Sequence, residues 1–120
     1  VCDRSGTVIF RKSVEGFTVP RHGACCPLWP LFGALAQTGM VVTETVMQLG
    51  RAQAQFECFA TSETQSAPSY NALPLVQAVM VLLPAPAGAG QGRSMGSTCR
   101  VCPQEGCSAR REPSILSSGV

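Results

Sequence analysis

Apolar and polar side chains alternate along residues 54–61, where Ala54, Phe56, Cys58 and Ala60 are interleaved with Gln55, Glu57 and Thr61. A period of two puts each set on its own face of a strand, one buried and one wet. Residues 41–49, rich in Val and Thr, predict a strand before it, and a turn at Gly50-Arg51 makes the pair an antiparallel hairpin. Residues 75–83 form a nearly continuous apolar run between Pro74 and Pro84, short enough for a central strand. A helical period appears only at Leu28, Leu31, Phe32 and Leu35, spaced i, i+3, i+4, i+7. This predicts a short amphipathic helix, opened between Pro27 and Pro30 and ended near Gln37 by Thr38-Gly39. Upstream, the turn chemistry of Asp3-Arg4-Ser5-Gly6 leads into residues 7–13, expected as a first strand. Residues 15–20 are expected to continue the sheet or wrap its edge. Residues 61–72, polar and containing Pro68, predict a loop, and the Pro-, Ala- and Gly-rich residues 84–97 an irregular excursion. The pattern amounts to an α+β domain: an antiparallel sheet of about four to six strands, one or two packed helices and an irregular Cys-rich C-terminal tail.

A chain of 120 residues suits one domain. Within it residues 1–83 are read as the α+β core, 84–98 as a Pro/Gly-rich loop and 99–120 as the tail. Apolar content of 45% against 13% charge predicts a globular chain and suggests that part of its surface is normally covered. A net charge of +2, with no basic helix or basic–aromatic stripe, gives no electrostatic footprint for DNA. A DNA-reading element, if the protein uses one, is therefore expected outside this chain, which begins without Met and reads as a fragment. The N-terminus lacks the apolar core of a signal peptide, and the longest apolar stretch, residues 78–83, is far short of a membrane span. A cytoplasmic setting without a membrane partner is expected.

Chemistry concentrates in the run Cys99-Arg-Val-Cys102-Pro-Gln-Glu-Gly-Cys107. A C-x2-C pair puts two sulfurs on one tight turn, and the third can close round the same centre. Soft thiolates suit zinc and iron–sulfur centres alike. A fourth ligand is on offer at Cys25-Cys26. Seven cysteines in all is an odd number, and the clustering favours metal over disulfides, hence a reducing compartment. Cys2, Cys25 and Cys58 are read as small apolar residues. With His22 the only histidine, and no Ser/His/Asp set or suggestive carboxylate pair, an enzyme is not expected.

The order of His22-Gly23-Ala24-Cys25-Cys26-Pro27-Leu28-Trp29-Pro30-Leu31-Phe32, the Gly39 turn, Phe56-Glu57-Cys58-Phe59-Ala60 and Cys99-x2-Cys102-x4-Cys107-x2-Arg110 resembles a known family. It is similar to the C-terminal regulatory domain of the short-chain fatty acyl transcriptional regulators, over residues 8–113. Those bacterial proteins carry an Xre-type helix-turn-helix at their N-terminus and control propionate, glyoxylate and related acyl-CoA metabolism. The resemblance implies a domain that senses short-chain acyl-CoA or CoA and acts on DNA through its own N-terminal helix-turn-helix domain. It also implies a 4Fe–4S cluster on Cys26, Cys99, Cys102 and Cys107, with Cys26 chosen over Cys25 because the family's thiol directly precedes the Pro. Zinc is the alternative metal, and a homodimer is left open.

For the ligand, Arg21, Arg93, Arg100, Arg110 and Arg111 are candidate phosphate holders, since a guanidinium matches phosphate geometry. The plainer reading of the arginines near the cysteines is neutralisation of thiolate charge. Trp29, beside Phe32, is either core or the apolar wall of an acyl pocket. Two other functions fit the same residues. One is a structural zinc-stabilised interaction or dimerisation module, and the other a thiol redox switch.

Overall fold

A computed structural model describes residues 1–12, 14–21, 23–50, 54–64, 70–71, 75–86 and 90–116. Strands β1 (Cys2–Asp3), β2 (Val41–Gln48), β3 (Gln55–Thr64), β4 (Val76–Pro84) and β5 (Arg93–Met95) form one sheet in the order β1-β4-β3-β2-β5. Among the described residues one helix, α1 (Pro30–Leu35), covers one face, and one 3-10 turn spans Cys99–Val101.

The hairpin of β2 and β3 follows from alternation. Phe56, Cys58, Ala60 and Ser62 are buried in turn along β3, and Val42 pairs with Ala60 and Val46 with Phe56. Cys58 opposes Leu82 and Ala60 opposes Met80 on β4, so the inner face runs across three strands. Leu31 and Ala34 of α1 seal that face, with Trp29 at the helix entrance. Phe17 lies 5.1 Å from Trp29 and 5.5 Å edge-on from Phe56, joining the loop before α1 to the core. Residues 15–20 wrap the edge through one side chain. Gln48 accepts from the Thr18 N–H at 2.6 Å and donates to the Thr18 carbonyl at 2.8 Å, standing in for a neighbouring strand.

Three expectations change. The sheet is mixed: β5 runs parallel to β2, because the chain crosses from β4 to the far edge before pairing. Gly92 permits this approach, since a Cβ there would lie 2.8 Å from the Thr45 and Val46 backbone. β5 thus falls inside the stretch expected to be irregular. Secondly, β3 continues through residues 61–64, expected as loop, because buried Ser62 donates to the Ala34 carbonyl at 2.6 Å and serves as an inward residue. Thirdly, residues 7–12 form no strand. Only Val8 bridges to Cys2, and the adjacent edge of β4 is already taken by β1. β4 lies between β1 and β3, the inner position expected of a central strand, with Val79, Val81 and Leu83 exposed on the side away from α1. His22, Arg51, Pro68 and Pro74 lie outside the described residues.

Candidate functional site

Adjacent residues line two different cavities, Cys25 the larger and Cys26 the smaller. The smaller, about 20 Å³, is lined by Cys26, Cys99, Cys102 and Cys107 together with Met95 and Arg110. Its walls are built from three places in the sequence. Cys26 is held where its N–H donates to the Ser97 carbonyl at 2.8 Å. The Trp29 indole N–H donates to the Gly96 carbonyl at 2.6 Å, and the Leu49 N–H to the Met95 carbonyl at 2.7 Å. β5 therefore docks the start of the cysteine run against the α1 entrance.

Beyond residue 99 the tail folds round one guanidinium. Arg110 donates to the carbonyls of Cys99, Cys102, Gln104 and Glu112, and the Ile115 N–H returns to the Arg100 carbonyl at 2.8 Å. Such a charge-assisted cluster supplies the order that a segment poor in apolar residues lacks. The tail's internal order thus has supports other than metal, and its start is held to the body by the Cys26 and Trp29 bonds to Ser97 and Gly96.

All seven cysteines are free thiols. The sulfurs already receive backbone N–H groups, from Gly96 to Cys26 Sγ and from Arg111 to Cys99 Sγ, each at 3.4 Å. Gly96 also lets Cys102 in, for a Cβ at that position would sit 2.9 Å from Cys102 Sγ. The four thiols do not form a finished coordination shell: no three His, Cys, Asp or Glu side chains among the described residues are arranged to hold a metal ion. The donor chemistry does fit one. Four soft sulfurs, amide N–H groups aimed at two of them and a neighbouring guanidinium are what a thiolate centre requires.

The larger cavity, about 690 Å³, is an open cleft between the 4–11 turn, the loop at 20–25 and the tail. Arg4, Arg11, Arg21 and Arg111 line it, four of the chain's nine Lys and Arg, and no acidic side chain does. None of the four has a carboxylate partner among the described residues. Arg11 donates to the Pro20 carbonyl at 3.0 Å, which ties the two loops together. The carboxylate of Asp3 is spent locally on Ser5 and Thr7, and its pKa is lowered first by the Ser5 hydroxyl. The apolar lining comes from Ile9, Phe10, Phe32 and Leu35; Ile9 is 51% and Phe10 62% exposed. Cys25 also lines the cleft. Burial pushes its thiol pKa up, against the opposing pull of Arg11 and Arg111.

The candidate residues are thus distributed between several places. Cys26, Cys99, Cys102 and Cys107 meet at one cavity, whereas Cys25 faces the other. Arg21 and Arg111 line the cleft. Trp29, 2% exposed, is core, and its polar atom is used by Gly96. Arg93 is committed to Glu44, at 2.6 and 3.0 Å, and to the Leu28 carbonyl. Arg110 holds the tail, and exposed Arg100 lines neither cavity. Arg4 and Arg11 were not among the sequence candidates. Their only local signal was the Asp3–Gly6 turn, which says nothing about meeting residues 21 and 111.

Comparison with known proteins bears on the same fold. A solved structure described as a Mycobacterium tuberculosis transcriptional regulator superposes with a TM-score of 0.76 at 19% identity. The match covers 96% of this chain and 39% of that one, so this chain spans about two fifths of the length of that regulator. Among curated proteins none matches by sequence. The family described as "Short-chain fatty acyl coenzyme A regulator, C-terminal" matches residues 1–85, which include Cys26 and most of the cleft but stop short of the Cys99–Cys107 run. That match covers well over half of the chain, which therefore belongs to the C-terminal domain family of the short-chain fatty acyl coenzyme A regulators.

Proposed function

We propose that this domain is the ligand-sensing part of a transcription regulator, responding to short-chain acyl-CoA or CoA and carrying a metal centre on Cys26, Cys99, Cys102 and Cys107. It binds and reports without catalysing, and acts on DNA through an N-terminal helix-turn-helix domain of the full protein. The observation that carries this reading is that four thiols, from residue 26 and from residues 99–107, line one cavity in a chain of this family. When bound, zinc or a 4Fe–4S cluster supplies metal–sulfur bonds that clasp the early loop to the tail. Gly96 gives Cys102 room, the Gly96 and Arg111 N–H groups orient two sulfurs, and Arg110 offsets thiolate charge.

The size of the cavity favours a second reading, a zinc-stabilised module. About 20 Å³ suits a single ion, and a cluster of four irons and four sulfides would require the tail to stand further out. Anaerobic purification followed by a visible spectrum and elemental analysis separates the two. Brown absorption with iron and sulfide supports the cluster, and a colourless protein with one zinc supports the module. Reduced protein that takes up neither metal would remove the centre. Calorimetry with acetyl-, propionyl- and butyryl-CoA tests sensing, and no heat of binding with any of them would remove it.

A further inference from the structure

Two of the arginines near the cysteines are already engaged, Arg93 with Glu44 and Arg110 with four carbonyls, and exposed Arg100 lines neither cavity. Positive charge gathers instead in the larger cleft. We propose that the four-arginine cleft is the ligand site, taking the phosphate groups of a nucleotide-type thioester on Arg4, Arg21 and Arg111 while its apolar arm lies along Ile9, Phe10 and Phe32. This assignment rests on the sensing reading above and gives it a location.

Three observations converge on it. Arg4, Arg11, Arg21 and Arg111 reach one space from three separate segments, with no acidic lining residue to neutralise them. Holding four like charges together costs electrostatic energy that an anion relieves, and guanidinium groups match phosphate oxygens in geometry. Next, the cleft is of ligand size, within the roughly 300–1,000 Å³ usual for small-molecule sites. Finally, it is amphipathic. Ile9 and Phe10 are more than half exposed at its mouth, and Phe32 stands beside Gly6, where a Cβ would lie 3.6 Å from the ring. Inorganic phosphate would leave that apolar shelf unused, whereas a CoA thioester covers both halves.

The test is calorimetry on the protein with propionyl-CoA, ADP and inorganic pyrophosphate. The decisive variant is the double substitution Arg4→Gln/Arg21→Gln, since neither side chain makes a described structural bond. Arg100→Gln is the control outside the cleft, and melting curves check folding. The expected result is propionyl-CoA affinity weakened roughly tenfold or more in the double variant, unchanged in the control, and weakened by salt in the wild type. Phe10→Ala should weaken propionyl-CoA while sparing ADP. Equal propionyl-CoA affinity in wild type and double variant overturns the site and leaves sensing intact. Pyrophosphate binding as tightly as propionyl-CoA overturns the apolar arm. Wild-type protein that binds no CoA ester sinks the ligand assignment and the sensing reading together, even if ADP still binds at the arginines.

Discussion

Gly96→Ala offers the sharpest probe of the thiol cavity, because the geometry fixes what the added methyl must displace. The Cβ would stand 2.9 Å from Cys102 Sγ and 3.2 Å from Cys102 Cβ. Ordinary carbon–sulfur contact needs roughly 0.6 Å more, and crowding of this kind costs about 1–3 kcal/mol in a packed site. Backbone on the other side cannot yield freely, since the Gly96 carbonyl is held by the Trp29 indole and its N–H by Cys26 Sγ. Cys102 must therefore retreat. Metal–sulfur bonds of about 2.3 Å tolerate errors of only ~0.2 Å, so a methyl that pushes Cys102 outward opposes the closing movement the four thiols still need in order to hold an ion. Zinc affinity, measured by competition against a chelator on reduced protein, should fall at least tenfold. Gly33→Ala in α1, whose Cβ would meet nothing within 4 Å, should leave affinity unchanged and slightly stabilise the helix. A Gly96→Ala protein that holds zinc as tightly as wild type would refute the placement of Cys102 among the ligands.

Other outcomes follow from single contacts. Trp29→Phe keeps a ring in the core but strands the buried Gly96 carbonyl, so stability in urea should drop by about 1–3 kcal/mol; a loss under ~0.5 kcal/mol would count against that bond as the anchor of β5. Burial, aided by Glu44, pushes the Cys58 thiol up to about 12, so iodoacetamide at pH 8 should label Cys99, Cys102 and Cys107 well before Cys58. Because the folded pKa is raised above the ordinary 9.0, that thiol's contribution to stability is whole below about pH 9 and is lost as pH rises from there towards 12. Cys58→Ala should flatten this alkaline decline in melting temperature, and an unaltered slope would contradict it.

How much of this was legible in the sequence depends on whether the signal was local. The alternation of residues 54–60 and the i, i+3, i+4, i+7 spacing at Leu28–Leu35 each describe one face of one element, and β3 and α1 follow them closely. β5 carries no pattern in three residues. Its position comes from pairing with β2 and from the close approach at Gly92, neither visible in a window of sequence. Val8-Ile9-Phe10 misled for the opposite reason: an apolar run predicts a strand, yet two of its side chains stand at the mouth of the arginine cleft. The cysteines could be grouped by spacing, whereas the arginines of the cleft could not, because residues 4, 11, 21 and 111 share no periodicity.

The same geometry bears on how a sensor of this fold can work. Adjacent residues Cys25 and Cys26 face the arginine cleft and the thiol cavity respectively. Arg111 repeats the arrangement: it lines the cleft, and its backbone N–H donates to Cys99 Sγ. Residues adjacent in the chain, or a single residue, thus serve both sites at two places. A ligand that displaced the Arg111 backbone would alter a hydrogen bond to a thiol, and drawing the thiols together would in turn bear on the position of Arg111. Coupling of this kind is reciprocal by thermodynamic necessity and needs no long relay. Residues 25–26 and Arg111 supply the physical link that the spacing of either motif alone does not reveal.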